Sequence, residues 1–146
     1  MTTGTHSMSK VDVKEILWVG EQNFTSLSYF GNVSKGDNIF FREIDNFFKA
    51  SQWLQEQIRD KSSHIPYAIM VDFKSLKEDD FRFLNFIKEE ALLKELPFIV
   101  YTDCAGTSNS QSLLELGIDD CFELPMDWVR LQNRVDFLHS FKPKLL

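Results

Sequence analysis

The stretch "YAIMVDFKS", Tyr67–Ser75, decides the fold. Five mostly apolar residues lead to one carboxylate, Asp72, after which the pattern breaks into Phe73, Lys74 and Ser75. A short apolar run with no strict alternation reads as a strand buried on both faces, the kind found in parallel sheets covered by helices. The acid then stands where a buried strand meets a loop.

Working outward, "EILWVG" (Glu15 to Gly20), "IFFREI" (Ile39 to Ile44), "PFIVYTD" (Pro97 to Asp103) and "DCFEL" (Asp120 to Leu124) read as further strands. Between them lie helical patterns. Phe24, Leu27 and Phe30 recur near helical spacing in "NFTSLSYFGNV". Asn46 is a cap for a helix with Phe47, Ala50, Leu54 and Ile58 on one face, and because Phe47 and Phe48 cannot share that face, one of them is expected at a contact. "SLKE" (Ser75 to Glu78) has the form of a capping box, predicting a long helix through Lys94 with Phe81, Leu84, Ile87 and Ala91 inward. "SNSQ" (Ser108 to Gln111) is a second such box, whose helix stops at Gly117. Asp127 caps a last helix marked by Trp128, Leu131, Val135 and Leu138.

Strands alternating with helices imply parallel pairing through right-handed crossovers. The expected fold is therefore α/β: a three-layer α/β/α sandwich of flavodoxin-like (βα)5 type. Ligands of such sheets sit at the carboxyl ends of the strands. Gly20-Glu21, Asp72, Thr102-Asp103 and Leu124-Pro125 are expected there.

Composition narrows the function. The 146 residues suit one domain, and 43% hydrophobic content supports a packed core. Fourteen phenylalanines favour a core or interface built on aromatic area. A net charge of -6 without a Lys/Arg cluster disfavours direct nucleic-acid binding. No apolar run is long enough to cross a bilayer. Cys104 and Cys121 make no disulfide framework, and His6, His64 and His139 are scattered, so zinc is not expected. Free thiols and the lack of a charged-then-apolar leader before Lys10 point to the cytoplasm. Residues 1–10 read as a loose tail or expression remnant, 11–140 as the domain, and 141–146, with Pro143 and its neighbouring lysines, as the start of a linker to an output domain.

The segments "ILWVGEQN", "YAIMVDF", "LPFIVYTD" and "LGIDDCFELPM" resemble the receiver domain of two-component response regulators, over Lys14 to Leu138. The resemblance implies a five-stranded parallel sheet of order 2-1-3-4-5. It implies Asp72 at the phosphoacceptor position, Thr102 as the hydroxyl that binds the phosphoryl oxygen, and a weak Mg²⁺ site built from Glu21, Asp72 and the backbone carbonyl of Lys74. The implied partner is a histidine kinase or another signalling protein, and the implied role is regulatory rather than enzymatic.

Several positions depart from the family pattern. Gly20-Glu21 replaces an acidic pair, Asp103 stands where a small residue is usual, Leu124 stands where a lysine precedes the proline, and Cys121 replaces the switch aromatic. Lys74 is a candidate substitute for the missing charge. The sequence therefore favours an atypical receiver in bacterial signalling. A variant of this reading is a phosphorylation-independent module that pairs through the last strand and helix, attached to an enzyme such as a sugar transferase. A flavodoxin-like cofactor-binding protein is the other class, although "GEQNFTS" is a weak phosphate loop.

Overall fold

A computed structural model describes residues 14–20, 39–60, 65–102, 110–123 and 128–141. Five strands run in the order β1 (Lys14–Val19), β2 (Ile39–Ile44), β3 (Ala68–Asp72), β4 (Phe98–Thr102) and β5 (Asp120–Glu123). The helices are α1 (Phe47–Asp60), α2 (Phe73–Glu78), α3 (Arg82–Glu89), α4 (Ser110–Leu116) and α5 (Trp128–Phe141). The strands form one sheet in the order β2-β1-β3-β4-β5, and every pairing is parallel. This is the flavodoxin-like sandwich expected from the sequence.

Alternation along each strand divides the core in two. Leu17, Val19, Ile69, Val71, Phe98 and Val100 face the side covered by α1 to α4, where Ala50, Leu54, Leu76, Leu84, Ile87 and Leu113 meet them. Ile16, Trp18, Met70, Ile99 and Tyr101 face the other side, where Leu131 and Val135 of α5 close over them. β3 and β4 are buried at every position, which explains why their sequences lack alternation. The helical pattern around Phe24–Phe30 and the capping residues Ser108 and Asp127 lie outside the described residues.

Local chemistry sets the helix ends. The Asn46 side chain accepts the Lys49 amide at 2.8 Å, capping α1 as expected. Phe48 is 72% exposed, so it is the residue of the Phe47/Phe48 pair that leaves the core. Gly117 has φ +98, while the amides of Gly117 and Ile118 bond to the carbonyls of Leu114 and Leu113. That is a Schellman ending with Gly at C′.

The long helix expected from Ser75 to Lys94 does not form. α2 begins at Phe73, with Asp72 as its cap, and ends at Glu78. Asp80 and Phe81 then adopt left-handed φ values of 58 and 59, and α3 restarts at Arg82. The cause is local competition, because aspartates offer the backbone an alternative to helical bonding. The Asp79 carboxylate takes the Phe83 amide at 2.7 Å and so starts a new helix. The break lets Phe83 stack on Phe47 at 4.8 Å between centroids. Residues 91–95 are turns, and Ala91 is exposed rather than inward.

Candidate functional site: the carboxyl edge of the sheet

β1, β3 and β4 end side by side. Register aligns Val19 with Val71, and Asp72 with Tyr101. Gly20 and Asp72 are therefore neighbours across the β1/β3 tips, and Thr102 stands one residue beyond Tyr101. Asp72 and Thr102 are the described polar residues buried in the sheet, each 8% exposed. Burial holds both at fixed positions on the edge where the sequence places ligand chemistry. Glu21, Asp103, Leu124 and Pro125 lie outside the described residues.

The Asp72 carboxylate is engaged. Ser75 donates its hydroxyl to Oδ2 at 2.7 Å and its amide to the same oxygen at 3.3 Å. A carboxylate at Ncap satisfies an otherwise orphaned helical N–H and faces the positive end of the helix dipole. Asp72 thus holds α2 directly onto the end of β3. Ser75, read from sequence as the first residue of a capping box, instead clasps a cap three residues earlier. Its spacing from Asp72 was visible in the sequence, but two overlapping cap patterns compete there.

Lys74 lies inside α2 and its side chain is exposed.

Tyr101 is the residue at this edge that sequence reasoning missed. It is 1% exposed, stacks on Trp18 at 4.3 Å between centroids with planes 22° apart, and donates its hydroxyl to the Val19 carbonyl at 3.2 Å. A Cβ on residue 20 would lie 2.0 Å from that hydroxyl oxygen and 3.6 Å from the Asp72 Cβ. Residue 20 is glycine because the phenol fills its side-chain space. No local pattern links two residues 81 positions apart in this way, so only the register reveals the pair.

Of the residues that the family resemblance implies for a divalent cation, Asp72 and Lys74 are described and Glu21 lies outside the described residues. The neighbouring position, residue 20, is glycine with its side-chain space occupied by a phenol, and Asp72 Oδ2 is held by Ser75. Among the described residues no group of three or more His, Cys, Asp or Glu side chains is arranged to hold a metal ion.

A second polar cluster lies at the opposite edge. Tyr67 donates its hydroxyl to Asp136 Oδ1 at 2.7 Å, and Lys14 Nζ reaches the same oxygen at 3.3 Å. His139 stacks on the Tyr67 ring at 3.9 Å. Burial pushes the Tyr67 phenol pKa up, and the hydrogen bond to Asp136 and that carboxylate's charge add to the effect. Burial lowers the His139 pKa; Asp136 opposes the shift and Lys14 reinforces it. The cluster ties α5 to the start of β1 and to the entry of β3.

No family model matches the chain, and no curated protein matches it in sequence. Solved structures do match its fold. A putative response regulator from Chloroflexus aurantiacus is 20% identical, with 88% of this chain and 98% of that one covered and a TM-score of 0.69. The receiver domain of a sensor histidine kinase from Pseudomonas aeruginosa, solved with a magnesium ion coordinated in its active-site cleft, is 16% identical, with 88% and 98% covered and a TM-score of 0.63. A phosphorylated cyanobacterial phytochrome response regulator is 15% identical, with 92% and 96% covered and a TM-score of 0.61. The chain has the fold of response regulator receiver domains, over nearly its whole length. No described helix is long and apolar enough to cross a membrane.

Proposed function

We propose that the chain is a receiver-fold regulatory module of signal transduction that works by protein contact, with Asp72 at the phosphoacceptor position of an incomplete phosphorylation site. The observation that carries this reading is Asp72 itself. It ends β3 at the ligand-binding edge, where a carboxylate can in principle attack a phosphoryl group, yet its Oδ2 accepts both donors of Ser75. An in-line attack by that oxygen would first require the Ser75 bonds to be given up. The sequence supplies no lysine at Leu124 to neutralise the transferred group, and Lys74 extends from the exposed side of α2.

The surface proposed for contact is the α4–β5–α5 face. Leu114 and Leu116 on α4 and Val129 and Phe137 on α5 are each between 45% and 57% exposed. Arg134 on α5 pairs with Asp120 on β5 and lies over the Phe137 ring. Apolar side chains bordered by a charged pair suit a protein partner, either a signalling protein or a second copy of this chain.

Beryllofluoride with Mg²⁺, a phosphoryl mimic, tests the reading through amide chemical shifts. No shift around Asp72, Thr102 and β5 is expected. Shifts spreading from Asp72 through β4 to β5 would establish a phosphorylation switch and replace the contact reading.

A further inference from the structure

The Gly20–Tyr101 pair carries an inference beyond the fold. Gly20 is not required for a left-handed backbone, since its φ is not in the positive region and its amide donates to the Ile44 carbonyl at 3.2 Å. What requires glycine is space. Tyr101 reaches from β4, past β3, to the tip of β1, and its phenol oxygen lies 2.0 Å from where a Cβ on residue 20 would be. The ring is fixed in three ways: stacking on Trp18, the hydrogen bond to Val19, and burial. Trp18 is itself held edge-on by Phe41 at 5.6 Å.

We propose that Tyr101 is a built-in plug of the strand-tip cleft: its phenol takes the place of a carboxylate on residue 20 and closes the β1/β3 tips to a hydrated divalent cation. This deepens the proposed function and rests on it for the meaning of the cleft. Mg²⁺ requires near-ideal octahedral geometry and usually keeps several waters, so it needs open volume as well as oxygen ligands. A neutral phenol whose proton is directed to a carbonyl supplies neither the charge nor the volume.

Two measurements on the full chain test the plug. The first is a double-mutant cycle of Gly20→Ala and Tyr101→Phe, followed by urea unfolding. Gly20→Ala should lower the unfolding midpoint strongly beside Tyr101 and by roughly half or less beside Phe, which lacks the oxygen that meets the new Cβ. Equal losses in both backgrounds would overturn the interlock. The second is a Mn²⁺ titration of the unaltered chain, read by paramagnetic broadening of amide signals. The Gly20 and Asp72 amides should remain sharp at millimolar Mn²⁺, and broadening centred on those two would show the cleft open and overturn the plug. Neither measurement depends on a signalling partner. Failure of the contact reading would appear in the beryllofluoride shifts while the mutant cycle stood.

Discussion

At Asp72, one oxygen accepts two donors from Ser75 while the residue ends a buried strand. Substitution separates the structural and chemical roles of that carboxylate. Asn caps helices about as well as Asp, so Asp72→Asn should keep stability within ~0.5 kcal/mol, whereas Asp72→Ala should lose about 1–2 kcal/mol. Urea denaturation of both variants checks this ordering. Under the contact reading, partner binding survives Asp72→Asn, and loss of binding from a stably folded Asp72→Asn chain would return the negative charge to a functional role. The acid's position was legible because an apolar run ending in one carboxylate is a local signal. Its engagement by Ser75 was not, since the sequence offers two overlapping caps and only the path of the chain selects one.

Among the elements, α5 is held to the sheet at two places by different means. At its middle, Arg134 pairs with Asp120, the first residue of β5. Toward its end, Asp136 accepts from Tyr67 and Lys14, while His139 stacks on Tyr67. Burial lowers the His139 pKa from its ordinary 6.5, against the attraction of Asp136 and with the repulsion of Lys14. The neutral imidazole is therefore the form the fold prefers. Its contribution is fully present above pH 6.5 and is lost as pH falls through the lower folded value, because the unfolded chain then binds more protons. Thermal melts between about pH 7 and pH 5.5 should show stability falling with pH, in a range where carboxylates have hardly begun to titrate. His139→Phe keeps an aromatic ring against Tyr67 and should flatten that slope; an unchanged slope would place the pH dependence elsewhere. The α2–α3 break belongs to this scale too. Apolar periodicity runs on through Phe81 to Ala91, but Asp79 interrupts it with a local bond to the Phe83 amide, beside the left-handed turn at Asp80 and Phe81, and periodicity does not weigh either.

For the molecule as a whole, α5 is the helix among the described residues that covers the Trp18–Tyr101 face of the sheet. Leu131 and Val135 are fully buried there. Leu131→Ala should cost about 2–4 kcal/mol, since a side chain pinned between a sheet and one helix leaves a cavity that the sheet cannot close. Chemical denaturation measures the loss, and near-UV circular dichroism reads the loosening of the Trp18–Tyr101 stack. By itself the sequence determined the order and type of the strands, their parallel sense, the cap at Asn46, the stop at Gly117 and the place of Asp72, because each depends on residues close together in the chain. The tertiary structure alone decided why residue 20 is glycine, what Tyr101 does, and which residues join Lys14 to Asp136. Those outcomes depend on strand register and on side chains reaching across neighbouring strands, and no stretch of contiguous sequence encodes a distance between segments that meet only on folding.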